Sequence, residues 1–291
     1  LESRRDRIRM RKLTRRALFA AGRYDEARRA WAEAVKRGES GAPLELARLC
    51  RLAGDAEEAE RQAKRILDDS DEIDSHAEAL ALLARLELDR GAARAALEVL
   101  DEHNGADNAF SLDEVSGLAH LALGDFDGAD RCFGACLANA DDDGALSRAH
   151  HLSGMVAHAR ERWSEAIAHF ARAEALARSA GRLHAAATSG VNVSIARLEA
   201  GELGPALGPL RRAIAVLAGV GRVGELANAL YDLGSLLWAL GDVDNARPVL
   251  SKANAAAREA GAEHVEAYCE LLRGDLERRR GVNGDLDVAI E

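Results

Sequence analysis

The sequence predicts an all-α chain of stacked antiparallel helix pairs, and three observations carry that prediction. Hydrophobic residues make up 48% of the 291 but aromatics only 4%, so Ala and Leu, both strong helix formers, supply most of the apolar content, and four prolines rarely interrupt it. A spacing of Gly, four residues, Ala recurs at Gly22…Ala27, Gly54…Ala59, Gly91…Ala96, Gly124…Ala129, Gly201…Ala206 and Gly241…Ala246; a seventh copy, Glu161…Ala166, keeps the Ala and loses the Gly. The copies start 32, 37, 33, 37, 40 and 40 residues apart, the period of a repeating helix pair. Around each copy, side-chain size recurs in register.

Each interval reads as two helices with the Gly between them. The spacing predicts pairs over 3–21/24–37, 42–53/55–69, 73–90/92–102, 109–123/126–139, 143–160/163–180, 183–200/203–219 and 222–240/243–260. Seven residues before the turn sits a small side chain in six copies: Ala47, Ala84, Gly117, Gly154, Ser194 and Gly234, with Arg15 the exception. Four residues past the Ala sits a large apolar one in six: Trp31, Leu100, Phe133, Phe170, Leu210 and Leu250, with Ala63 the exception. Three further on come Ala34, Ile66, Cys136, Ala173, Ala213 and Ala253, with His103 the outlier. Small residues let two helices approach closely, and the turn Gly reaches positive φ cheaply and so ends the first helix. The large residue is expected to fill the groove between one pair and the next. An eighth first helix is expected near 263–280, ending at Gly281, with a second helix starting in the run from Gly284 to Ala289.

This pattern resembles the tetratricopeptide repeat (TPR), with its small residue in the first helix and its Gly, Ala, Phe and Ala in the turn and second helix. The early Trp, late Tyr and closing Pro of that family's motif are mostly missing here. The resemblance covers about residues 3–291 and implies a right-handed superhelical solenoid: seven helix pairs and a partial eighth in a single TPR-like domain over 1–291. Its repeats are shorter over 1–142 and extended, about 40 residues each, over 143–291. The extended copies are similar to those of kinesin light chain, of bacterial peptide-sensing regulators and of large signalling proteins such as STAND-type ATPase regulators. The likeness implies a section of a longer chain, the protein- or peptide-binding scaffold or sensor of a multidomain bacterial-type signalling or transcriptional regulator. The alternative is a small-ligand-sensing solenoid domain of a STAND-type regulator.

Charge and motifs narrow the classes. The net charge is −10, although residues 1–16 are basic, with eight Arg and Lys side chains against Glu2 and Asp6. An acidic body argues against nucleic-acid binding, which needs a basic stripe. No apolar run reaches the length of a membrane span, and no secretory signal or disulfide framework is visible, so the expected setting is cytoplasmic. No phosphate loop, GxSxG or HExxH occurs, and no nucleophile is spaced with a base; no enzyme, cofactor or metal is expected. Cys136 falls in a packing column, where cysteine acts as a small hydrophobe. Acidic runs such as Asp141, Asp142 and Asp143 fall between helices, where Asp caps and turns.

In a TPR-like array the first helices line the concave face, which helical spacing assigns to residues 13, 10, 6 and 3 before the turn. The candidate partner-binding residues are therefore Arg16, Arg48, Arg51, Arg85, His151, Met155, His158, Asn228, Tyr231 and Trp238, with Asn192 as a group for a peptide backbone. This face runs from basic to mixed to apolar-aromatic. Arg48, Arg51 and Arg85 suit an acidic segment of a partner, whereas Tyr231 and Trp238 suit an apolar anchor. Packing and solubility explain the same residues without a partner. The open ends of such an array also permit self-association.

Overall fold

The computed structural model describes residues 14–15, 24–69, 73–101 and 110–288, and every regular element among them is a helix. The chain divides into two compact units, Leu1–Asn139 and Ala140–Glu291. The first contains α1 (Tyr24–Lys36), α2 (Ala42–Leu52), α3 (Ala56–Asp69), α4 (Ile73–Asp89), α5 (Ala93–Asp101), α6 (Phe110–Ala122) and α7 (Phe126–Asn139). The second contains α8 (Asp143–Ala159), α9 (Trp163–Ser179), α10 (Leu183–Glu199), α11 (Leu203–Gly219), α12 (Val223–Ala239), α13 (Val243–Ala260) and α14 (Glu263–Val288). All seven expected second helices and the six expected first helices after the opening one appear in place. Of the opening helix only Thr14 and Arg15 are described; Arg16, Phe19, Gly22 and the rest of the basic start lie outside the described residues.

The turns explain both the repeat and its lengthening. Gly241 has φ 79°; its N–H donates to the Trp238 carbonyl and that of Asp242 to the Leu237 carbonyl, each at 2.9 Å, closing the end of α12. The copy without Gly takes the same conformation at a cost: Glu161 has φ 58°. In the second unit α8 to α12 are each 17 residues long with three-residue links, which makes the 40-residue step.

The size columns meet inside each pair. A Cβ placed on Gly117 would lie 2.3 Å from Phe133, one on Gly154 2.7 Å from Phe170, and one on Gly234 2.5 Å from Leu250. The large residue occupies the hole left by the small residue of its own first helix, and Phe170 also packs with Val193 and Ala196 of the next pair, as expected. Phe133, Phe170 and Leu250 are fully buried there, each contributing about 1.5–3 kcal/mol of transfer free energy. Ser194 fits the column because its hydroxyl donates to the Ala206 carbonyl at 2.8 Å.

Both exceptions have physical answers. Where the first copy has Arg15 in place of a small residue, the guanidinium lies 4.1 Å over the Trp31 ring and bonds Glu39 at 2.6 Å, with Arg15 only 4% exposed. The large partner became an aromatic face that a cation can stack on. Where the second copy has Ala63 in place of a large residue, Ala47 and Ala63 pack with Leu82 of α4, so the next pair fills the space.

The end of the chain departs from expectation. α14 runs unbroken from Glu263 through Gly281 to Val288, with no turn at Gly281 or Gly284. A glycine inside a helix costs only about 1 kcal/mol, so it breaks the helix only where a second helix packs back to reward the turn; here the intrahelical bonds continue.

Candidate functional site

In the first unit the arginine row of the first helices is stitched to carboxylates on the next first helix. Arg48 of α2 bonds Glu78 of α4 at 2.5 Å, and Arg51 of α2 bonds Asp89 of α4 at 2.8 Å. Arg85 of α4 lies 3.2 Å from Glu114 of α6. Glu45 adds a second carboxylate 3.8 Å from Arg48. Each of the three guanidiniums holds an internal counter-charge. An acidic ligand would have to displace Glu78, Asp89 and Glu114.

In the second unit the first helices α8, α10, α12 and α14 are linked differently. His151 Nδ1 is 3.0 Å from the Ser189 hydroxyl, and its ring packs 5.5 Å from Phe170. Burial pulls His151 below the usual imidazole range. His158 Nε2 lies 2.8 Å from a Glu199 carboxylate oxygen and its ring meets Trp163 edge-on. Met155 packs with Ala157, Phe170 and Val193. On the neighbouring second helix His169 sits 3.1 Å from His150, Nδ1 to Nδ1; burial first, then the His169 charge, lowers the pKa of His150. Farther along, His184 of α10 meets Glu225 of α12 at 2.5 Å. Asn192 is half-buried on α10.

At α12 the character changes. Trp238 and Tyr231 pack against the core cluster of this unit, and the Tyr231 ring lies 5.7 Å from that of Tyr268 on α14. Tyr268 is 50% exposed and Leu271 69% exposed. Between these aromatics and α10 runs a polar stripe, Asn228, Asp232 and Ser235, at the i, i+4, i+7 spacing of one helix face. Asn228 is exposed and donates to the Gly224 carbonyl at 3.1 Å. The Ser235 hydroxyl is buried without a hydrogen-bond partner. Asp232 receives no donor among the described residues, and desolvation alone pushes its carboxyl up to about 6.

Register places that carboxyl. Glu225 and Asp232 are seven residues apart, two helical turns, so Asp232 shares the face that meets α10 at His184. First helices run parallel, so Asp232 lies level with Val191, seven residues on from His184, whose side chain packs against the apolar core. An apolar neighbour and no donor account for the upward shift. Sequence reasoning missed Asp232 because it followed the positions 13, 10, 6 and 3 before the turn. Its column, nine before the turn, is Glu45, Leu82, Val115, Leu152, Asn192 and Asp232 from the second copy onward, so sequence alone did not set Asp232 apart from Glu45.

Asp113 of α6 also has a carboxylate oxygen buried without a partner, and burial pushes its carboxyl above the usual range. All four cysteines are free, and Cys50, desolvated, is pushed up to about 11. Among the described residues no group of three His, Cys, Asp or Glu side chains could hold a metal ion, and no helix is long and apolar enough to cross a membrane. Asp142 caps α8, its carboxylate accepting from the Ala145 N–H at 2.6 Å.

Known proteins with this architecture share the fold at low identity. A tetratricopeptide repeat-like domain model matches residues 39–153, and a tetratricopeptide repeat model matches residues 227–259. No curated protein sequence matches the chain. The structure of BtubC (BKLC) from P. vanneervenii is similar with 15% identity and a TM-score of 0.59, covering 72% of this chain and 91% of that one. The Cut9–Hcn1 hetero-tetramer of APC/C is similar with 15% identity and a TM-score of 0.67, over 89% of this chain and 48% of that one. A Rap protein complexed with Competence and Sporulation Factor is similar with 14% identity and a TM-score of 0.59, over 85% and 74%. At these identities the likeness speaks for the fold alone. With its helix pairs, its turn glycines and its small-on-large packing columns, the chain is a tetratricopeptide-like helical-repeat protein.

Proposed function

We infer that this chain is a protein- or peptide-binding scaffold and no enzyme, and that its recognition surface is the first-helix face of the second unit, centred on α12. The observation that carries this reading is the contrast between the two units. The first-unit arginines are already bonded to carboxylates, whereas α14 presents the exposed Tyr268 and Leu271 beside the half-buried Tyr231 of α12. Aromatic anchors are what a bound segment gains from. The 40-residue repeats that build this face support a place in a multidomain signalling or transcriptional regulator of bacterial type, in which the array senses or assembles. Free cysteines fit a reducing, cytoplasmic setting. A protein of similar fold, a Rap protein, is complexed with Competence and Sporulation Factor, which supports a binding role for this array.

Affinity capture with the intact chain, identification of the captured protein and titration of that protein in purified form test the reading. Expected is a defined dissociation constant that weakens at least tenfold in Trp238→Ala. A thermal shift produced by a metabolite library, with no protein partner found, would instead assign the array to small-ligand sensing.

A further inference from the structure

Positive charge in the second unit collects on its second helices, although the chain as a whole is acidic. α9, α11 and α13 carry two, two and three basic residues against two, none and two acidic ones. The adjacent first helix α12 is the reverse, with Glu225 and Asp232 and no basic residue. The cations also fall in register. The position six past the repeat's Ala is Arg172, Arg212 and Lys252 in three successive copies, where the first-unit copies have Glu33, Arg65, Glu102 and Ala135. All three are exposed, as is Arg211 beside Arg212. Among the described residues no carboxylate pairs with Arg172, Arg211 or Lys252.

A buried group fixes the centre of this row. The Glu174 side chain of α9 is only 9% exposed, and its Oε1 accepts from Arg178 one turn on and from Arg212 of α11 at 3.3 Å. One carboxylate thus holds two guanidiniums from two helices and leaves one positive charge in excess. Both guanidiniums are half-exposed, and each has five N–H donors, of which this carboxylate takes few. The neighbouring outward positions carry small side chains, Ala168, Ala171 and Ala175 on α9 and Gly208 on α11, all exposed. The cations therefore stand clear of large neighbours.

We propose that the second-helix face of the second unit is a further docking surface, for an acidic segment of a partner protein. Arg178 and Arg212 form the clamp that its carboxylates bond, and Arg172, Arg211 and Lys252 are flanking charges. This surface goes beyond the scaffold reading above, which places recognition on the first helices, and it lets the array hold two partners at once. Arg offers a carboxylate two parallel donors. Because Glu174 already holds two of the side chains in place, less ordering is left for the ligand to supply. A nucleic acid fits less well. Its duplex carries a charge about every 1.7 Å, and Glu165, Asp244 and Glu259 on the same helices would meet those phosphates.

Fluorescence anisotropy of a labelled dodecaglutamate peptide, titrated with the intact chain at roughly 50 mM salt, where exposed charges still act over more than 10 Å, tests this. Expected is saturable binding that weakens roughly tenfold in Arg172→Glu with Lys252→Glu, and by a similar factor in Arg178→Gln with Arg212→Gln. The first pair alters only exposed, unpaired side chains, so its loss cannot come from stripping Glu174 of its partners. Arg29→Glu with Arg94→Glu reverses two exposed cations of the first unit. It makes the same change in net charge and should leave affinity unchanged. No binding, or an equal loss in that control, overturns the surface and leaves the first-helix reading, tested through Trp238→Ala, standing. Tighter binding of a DNA duplex, lost in the same second-unit variants, would overturn the acidic protein segment. So would self-association of the chain in sedimentation that those variants abolish, which would assign the face to a second copy.

Discussion

A carboxyl held against its chemistry should show in stability before any partner is known. Asp232→Asn keeps the shape and removes the charge. Burial moves the Asp232 carboxyl from 3.8 to about 6, which disfavours its ionised form by about 3 kcal/mol at neutral pH. Asp232 keeps some contact with solvent, so about half of that, roughly 1.5 kcal/mol, is the lower bound. Between pH 3.8 and 6 the native state holds a proton that the unfolded chain has released. Stability therefore falls as pH rises through this window and is flat above it. His150 and His151 act oppositely: burial lowers both, so the unfolded chain binds their protons first and stability falls as pH drops below 6.5. Subtracting variant from parent removes that background. Urea unfolding of the second unit, followed at pH 3.5, 5 and 7.5, should show Asp232→Asn equal to the parent at pH 3.5 and about 1.5–3 kcal/mol more stable at pH 7.5. A gain that is the same at every pH, or a loss at pH 7.5, would refute the desolvated carboxylate.

The packing columns and the turns give three further expectations. Gly154→Ala drives a Cβ to within 2.7 Å of Phe170 and should destabilise the second unit by about 1–3 kcal/mol, seen as a lower urea midpoint; Gly154→Ala with Phe170→Leu should recover part of it. Glu161→Gly relieves a left-handed non-glycine residue and should stabilise by roughly 1 kcal/mol; a lower melting temperature in calorimetry would count against the strain. Glu39→Gln leaves Arg15 buried beside Trp31 with no counter-charge and should cost about 3 kcal/mol in the first unit, whereas Lys36→Ala, in an exposed pair with Glu33, should cost under about 0.5 kcal/mol.

Much of the fold was legible because each structural need leaves a size or a glycine at a fixed spacing. Gly117 and Phe133, or Gly154 and Phe170, mark a helix crossing wherever they occur 16 residues apart, and Gly241 marks the turn. What spacing could not tell was that one large residue meets both neighbours, as Phe170 fills the hole left by Gly154 and packs with Val193 and Ala196 of the next pair. Arg15 looked like a broken rule, because stacking on Trp31 and bonding to Glu39 join residues that are distant in sequence. The candidate site was less legible for the same reason. Arg48, Arg51 and Arg85 read as open charges because Glu78, Asp89 and Glu114 lie about one repeat away, on helices whose register only the folded chain fixes.

Asp232 and those arginines look alike in sequence, as single charges on first helices, and the fold separates them by whether a neighbouring helix supplies the opposite charge. Repeats that must stack are stabilised by answering each charge in the next copy, as α4 does for α2. The column nine before the turn runs Glu45, Leu82, Val115, Leu152, Asn192 and Asp232 from the second copy onward, so a charge there does not by itself set one repeat apart. An apolar residue at 232 would remove the desolvated charge. In Asp232→Leu, stability at pH 7.5 should therefore rise at least as far as in Asp232→Asn; a leucine that destabilised the fold would mean that Asp232 serves the packing.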